Sequence, residues 1–321
     1  MIRAATLLAA MSVLATPASH AQNYPSRAIT LIIPFAAGGS NDVVGRAIGK
    51  KLTEAWGQPV VIDNRGGAGA LIGTTAAAKA APDGYTLLLV SPTFTIGPAV
   101  RKNMPFDPVR DFTPIAFIGR SPLLVAASNK FPAQSARELF ALASSEPGRI
   151  TYASAGVGSI NQISTELIAR SAGVKLVHVP YKGGAPAVTD LAGGHVDIFV
   201  SSLPQVLPLA KSGQVKALAV TGTKRTALFP DVPTLAEAGV AGAEQLGTWW
   251  GIAAPAGLPA DIVNALNTEI GKMLTSPELV AFLNNEGAEA EAMTPKQFAD
   301  MMRLETERWI KVAREADISI D

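Results

Sequence analysis

The chain is 321 residues long, 48% hydrophobic and 17% charged, the composition of a well-cored globular protein. Its 27 basic and 26 acidic side chains nearly cancel without any block of like charge, which excludes the clustered cations that nucleic-acid backbones require. It has no cysteine, so disulfides and thiolate metal sites are excluded and stability must come from packing.

The sequence opens Met1-Ile2-Arg3, continues as an apolar run over 4–15, and then reads Thr16-Pro17-Ala18-Ser19-His20-Ala21-Gln22. A charged start, an apolar centre and small residues before a cut predict a secretory signal peptide over 1–21. The run falls short of the ~20 apolar residues of a membrane span. Cleavage after Ala21 removes Arg3 and no acid, leaving 26 basic and 26 acidic side chains. About 300 residues remain, room for two domains of ~100–200 residues each.

Residues 29–35, 60–63, 86–91, 115–127, 177–179, 198–200 and 217–220 are apolar without alternation, the pattern of strands buried on both faces. Over 42–56, Val44, Ile48, Leu52 and Ala55 share one helical face, and over 161–171 Ile163, Leu167 and Ile168 do the same. The chain is therefore predicted to be α/β. The run 115–127, broken by Gly119 and Pro122, exceeds the usual strand of ~5–6 residues and is predicted to cross between two lobes. Residues 246–254, with Trp249-Trp250-Gly251 before Pro255, are predicted to bring the chain back. That places 22–121 and 246–321 in lobe 1 and 122–245 in lobe 2, and makes the two tryptophans packing residues at the crossing. From Ala260 onward the chain reads helical, ending in 295–316 with Phe298, Met302 and Trp309 near one stripe.

Three glycine-rich segments follow predicted strands and precede helices. In Ala36-Ala37-Gly38-Gly39-Ser40-Asn41-Asp42, backbone N–H groups at a helix start can attract an anion such as a carboxylate. A tight turn capped by Ser40 or Asn41 is the alternative. Ser154-Ala155-Gly156-Val157-Gly158-Ser159 and Tyr181-Lys182-Gly183-Gly184-Ala185-Pro186 have the same form, with Lys182 either adding charge or simply solvated. Such loops lie at the carboxyl ends of strands, where α/β proteins hold ligands. Gly67-Ala68-Gly69-Ala70-Leu71-Ile72-Gly73 lacks the dinucleotide spacing and reads as another helix start near the cleft, and no phosphate loop is present.

After export only His178 and His195 remain, the first inside an apolar strand and the second in a glycine turn, neither beside an obvious nucleophile. Serine-elbow and histidine metal motifs are missing. No catalytic residue, metal or cofactor is expected, although carboxylates distant in sequence could still pair in space.

In chain order, Pro34-Phe35-Ala36-Ala37-Gly38-Gly39 with Asp42, Asp63-Asn64-Arg65-Gly66-Gly67-Ala68-Gly69, Pro82-Asp83-Gly84-Tyr85-Thr86, His178-Val179-Pro180-Tyr181-Lys182-Gly183-Gly184, and Pro230-Asp231-Val232-Pro233-Thr234 with Glu237-Ala238-Gly239 form an ordered set. With these motifs the chain resembles the Bug (TctC-like) solute-binding receptors of tripartite tricarboxylate transporters, from about Tyr24 to the C-terminus. The resemblance implies a two-lobed type II periplasmic-binding-protein fold with the ligand cleft between the lobes. It also implies a monomeric, nonenzymatic periplasmic receptor that captures a small carboxylic acid, partly through waters, and delivers it to membrane permease subunits. Carried over by motif, the first-lobe ligand-binding residues are Phe35, Ala36, Ala37, Gly38, Gly39, Ser40 and Asp42, with Ser91 and Thr93 after the third strand. The second-lobe set is Ser154, Gly156, Gly158, Ser159, Tyr181, Lys182 and Gly183. Gln162 stands where the family often has histidine, and Ser201-Ser202 where an acidic or amide side chain often follows the strand. These departures imply fewer partners for an ammonium group, hence a plain or aromatic acid over an amino acid. An exported hydrolase or isomerase on the same scaffold, or a receptor feeding a signalling partner, is the alternative.

Overall fold

A computed structural model describes residues 24–320; the expected signal peptide lies outside the described residues. Among them, no helix is long and apolar enough to cross a membrane.

The first lobe is built on β1 (Ile29–Ile33), β2 (Val60–Asn64) and β3 (Thr86–Val90), which are parallel, and on β9 (Gly247–Pro255), antiparallel to β3. Its order, β2-β1-β3-β9, continues into β4 (Phe112–Ser128). Alternate β1 residues face opposite sides. Ile29, Leu31 and Ile33 pack with Val44, Ile48 and Leu52 of α1 (Ser40–Trp56), and with Leu266 and Ile270 of α8 (Ala260–Leu274). Ile32 packs on the other side with Ala77 of α2 (Leu71–Ala78) and Phe94 of α3 (Pro92–Val100), beside Phe298 and Met302 of α10 (Pro295–Glu315). Coverage on both faces is the reason these strands read as unbroken apolar runs. The exceptions stand at sheet ends: β2 leaves Val61 52% exposed, and β6 (Val177–Pro180) leaves Val177 42% exposed. Both were expected to be buried; a terminal strand has a neighbour on one side only.

The 17-residue β4 belongs to both lobes. Its first part, through Pro122, pairs with β9, and from Leu123 it pairs with β7 (Ile198–Ser202) and, from Leu124, with β8 (Val215–Val220). The second lobe continues β7-β5-β6, with β5 (Thr151–Ser154) parallel to both neighbours. Its helices are α4 (Ala136–Ser145), α5 (Ile160–Ser171), α6 (Gly184–Gly193) and α7 (Leu203–Lys211). After α8 come α9 (Pro277–Asn285) and the short β10 (Glu289–Ala290), a strand not anticipated in a region that otherwise reads helical; β10 pairs with β4 at Gly119 and Arg120. The last helix, α10, starts with a complete capping box at Thr294 and Gln297. Its Phe298 and Met302 lie in first-lobe core, whereas Trp309 and Ala313 lie in the core containing Ile163 and Ile168 of α5.

A candidate ligand cleft

The parallel strands of both lobes end at the interlobe space, and β1, β3, β5, β6 and β7 each run there into a helix. The resulting cavity is walled by the first turns of α1, α3, α5, α6 and α7, through Gly39, Ser40 and Asn41, Ser91 and Thr93, Ile160 and Asn161, Gly184, and Ser202 and Gln205. Phe35, Leu123, Ala155, Ser201 and Thr248 complete it. No lining residue carries a charged side chain.

The N-termini of these helices supply the electrostatics. The residues preceding α1, α3, α6 and α7 are Gly39, Ser91, Gly183 and Ser202, and none of them caps its helix with a side-chain hydrogen bond. Elsewhere α4, α9 and α10 are capped by Ser135, Ser276 and Thr294, while α2 and α8, away from the cavity, also lack a side-chain cap. Uncapped amides with aligned dipoles favour negative charge by about 0.3–1 kcal/mol per helix.

Asp42 shapes the first turn. Its Oδ2 accepts the Gly38 N–H at 2.8 Å and Arg46 Nε at 2.8 Å, and its Oδ1 accepts Asn64 Nδ2 at 2.9 Å. Burial alone would push this carboxyl up, but the bonds from Arg46, Gly38 and Asn64 outweigh burial and hold it below the usual carboxylate range. Its acceptors are thus engaged within the first lobe. In the second lobe, Ser159 caps α5 by accepting the Gln162 N–H, while Gln162 Oε1 accepts the Gly158 N–H at 2.7 Å. This is a capping-box arrangement displaced by one residue.

Of the residues named from sequence, Phe35, Gly39, Ser40, Ser91, Thr93, Ser201 and Ser202 line the inner cavity. Gly156, Tyr181 and Lys182 line an outer depression with Arg101 and Gly69, where Tyr181 donates to Asp190 Oδ2 at 2.7 Å. Burial, then Asp190, pushes the Tyr181 hydroxyl up to about 12. Ala36, Ala37, Gly38, Asp42, Ser154, Gly158, Ser159, Gln162 and Gly183 line neither space; they belong to the turns that frame them. Gly39, rather than Ser40 or Asn41, is the residue preceding α1.

Sequence reasoning missed Leu123, Ile160, Asn161, Gln205 and Thr248 as lining residues, whereas Asn41, Ala155 and Gly184 lie within the glycine-rich segments it marked. Ser-Leu-Pro at 202–204 is a legible helix start and would have drawn attention to Gln205 in the following turn. Leu123 and Thr248 arrive from the two crossing strands and carry no local signal. Asn161 Nδ2 donates to Val200 O at 2.9 Å and reaches Ser201 Oγ at 3.3 Å, tying α5 to β7.

The lobes are in contact across the cleft. Ser40 N–H donates to Gln205 Oε1 at 2.9 Å, and Ile160 N–H to Thr93 Oγ1 at 3.2 Å. Arg101 Nη2 donates to Val157 O at 2.6 Å and Ala68 O at 3.3 Å. The cavity left between them is about 30 Å³, space for roughly two water molecules at ~10–15 Å³ each.

One pair has the outward form of a catalytic dyad: Ser154 Oγ lies 2.6 Å from His178 Nε2. Ser154 is fully buried and outside both cavities, and its Oγ also accepts the Gly156 N–H at 3.1 Å. His178 stacks on Tyr152, and burial pushes its pKa down. The pair holds the turn after β5. Trp250 is fully buried, and Trp249 packs on Phe117 and Phe298 while donating to Glu305 Oε2 at 2.6 Å; neither lines the inner cavity.

The model of the tripartite tricarboxylate transporter family receptor matches residues 44–318. The chain is 38% identical to the protein BugT of Bordetella pertussis over 305 residues, covering 94% of this chain and 93% of BugT. Among solved structures it is similar to R. palustris Rpa4515 with adipate, at 37% identity and a TM-score of 0.89, covering 92% of this chain and 99% of that one. It is also similar to MatC from Rhodopseudomonas palustris with bound malate, at 33% identity and a TM-score of 0.86, covering 90% and 99%. The two-lobed α/β fold expected from the motifs is the one the chain adopts.

Proposed function

Because the chain belongs to the tripartite tricarboxylate transporter receptor family, a family of solute-binding receptors and not of enzymes, we propose that it captures a small carboxylic acid between its lobes and presents the closed form to a membrane permease. One observation carries this reading: four helices begin at a cavity with a preceding residue that offers no side-chain cap of its own, and no charged side chain lines it. Such a site is selective for anions through backbone N–H groups and dipoles alone. Adipate and malate in two similar receptors support a carboxylate as the anion.

The same lining supports a plain acid over an amino acid. An ammonium group would have no carboxylate to meet in the inner cavity, since Asp42 is engaged with Arg46 and Asn64 outside it. In this reading Phe35, Gly39, Ser40, Ser91, Thr93 and Ser201 surround the acid, with Gly156, Tyr181 and Lys182 at the entrance. The lobes meet at 121/122 and 245/246, and the mature protein works in the periplasm after loss of 1–21. Closure follows from tighter binding to the closed than to the open form.

Thermal unfolding of the mature protein against a panel of mono-, di- and tricarboxylic and aromatic acids tests the proposal. An acid at a hundred times its Kd adds about 2.7 kcal/mol to stability and raises Tm. A panel without any shift would overturn the carboxylate assignment.

A further inference from the structure

Gln205 lines the cleft without belonging to any motif that marks the site. It comes from the first turn of α7 in the second lobe and is 7% exposed. Its Oε1 accepts the Ser40 N–H, in the first turn of α1 in the first lobe, at 2.9 Å. The residue preceding α1 is Gly39, which has no side chain to offer that amide. Gln205 therefore provides, from the opposite lobe, the oxygen that a helix N-terminus seeks.

The surroundings are shaped to this side chain. A Cβ at Gly39 would lie 3.2 Å from Gln205 Oε1, and one at Gly184 only 2.3 Å from it. The two glycines face one another across the lobes, with the Gly39 Cβ position 3.8 Å from Gly184 N. The amide of Gln205 occupies the room that their missing side chains leave, and the remaining cavity is about 30 Å³.

We propose that Gln205 sets the chain length of the acid the receptor accepts, by filling the α1–α6 end of the cleft with a neutral oxygen where the carboxylate of a longer acid would otherwise bind. The inference rests on the carboxylate reading above. An amide oxygen is a weaker partner for a helix N-terminus than an ionised carboxylate, whose hydrogen bonds are roughly twice as strong. Gln205 nevertheless belongs to the chain and is 7% exposed, so its amide occupies this end and leaves the remaining N-termini to the bound acid. Truncating it returns the Ser40 N–H and the space between Gly39 and Gly184 to the ligand.

The test is isothermal titration of the wild type, Q205A and Q205E with linear dicarboxylates from malonate to suberate. Q205A is expected to bind a longer acid best, with the ratio of long-chain to short-chain affinity raised by about tenfold. Q205E keeps the size of the side chain but puts a negative charge on the Ser40 N–H, and is expected to weaken all acids by about tenfold or more. An unchanged length profile in Q205A, or a uniform loss across the series, overturns the proposal, because Gln205 would then be only a bridge between lobes. Should Q205A fail to fold, Q205N, one methylene short of Ser40, is held to the same two criteria. A wild type that binds none of the acids overturns both this inference and the carboxylate reading; a wild type that binds them while the profile stays fixed overturns this inference alone.

Discussion

Asp42 shows how a single buried charge arranges a site that it does not line. It draws the Gly38 N–H, Arg46 and Asn64 onto one carboxylate, which fixes the turn carrying Gly39 and Ser40. D42N is expected to cost about 2 kcal/mol, since an amide cannot accept all three bonds as an anion does. The pH dependence has a definite sign. Because the folded-state pKa lies below the ordinary 3.8, the contribution is present above that value and is lost as pH falls through the folded pKa. Urea unfolding should show the difference between wild type and D42N at neutral pH and its disappearance in acid; a gap that persists in acid would assign it to packing. Asp42 was legible in sequence as part of the anion turn, but its role was not. Distinguishing a ligand contact from a brace requires knowing that Asn64, on the neighbouring strand, faces it.

At the scale of elements, the helix starts were the most legible features, because glycine, serine and proline before an apolar stripe have local causes. The elements hardest to read were those defined by distant partners. The two-residue β10 is held by Gly119 and Arg120 of β4, and β2 and β6 read as buried although each ends a sheet. The segment Ala68 to Ala70 shows what such partners impose. Gly69 has φ +59°, and a Cβ there would lie 2.1 Å from the Val157 carbonyl oxygen of the other lobe. In an open form G69A meets the left-handed backbone penalty, about 1–2 kcal/mol, and the movable end of Arg101 in its own lobe; on closure it also meets the backbone of Val157. Titration should therefore show ligand affinity reduced by about tenfold or more, and small-angle scattering should show G69A with ligand remaining as extended as without it. Wild-type affinity in G69A would mean that the lobes can bind ligand without this approach.

For the whole molecule, the lobes are joined by more than the crossing strands. The α10 helix packs Phe298 and Met302 into first-lobe core and Trp309 and Ala313 against α5, and Arg170 Nη1 of α5 donates to Ala316 O at 2.6 Å. Replacing the buried Trp309, 2% exposed, by alanine is expected to cost about 3–5 kcal/mol. The loss falls on a contact shared by both lobes, so denaturant unfolding followed by circular dichroism should broaden or separate into two steps. A single transition of unchanged midpoint would show that α10 adds nothing to their coupling.

The sequence by itself determined the α/β alternation, the crossing run over 115–127, the glycine turns at helix starts and the family to which their order belongs. Each follows from chemistry within a few residues: side-chain periodicity, backbone freedom and exposed N–H groups. The tertiary structure decided which turns meet. It separated Ser40, Ser91, Thr93 and Ser201, which line the cavity, from Asp42, Ser154 and Gln162, which brace it, and it brought Leu123, Thr248 and Gln205 to the same space. Those placements depend on how β4 passes from one sheet to the other and brings two sets of helix N-termini face to face, a relation between residues far apart in the chain that no local pattern encodes.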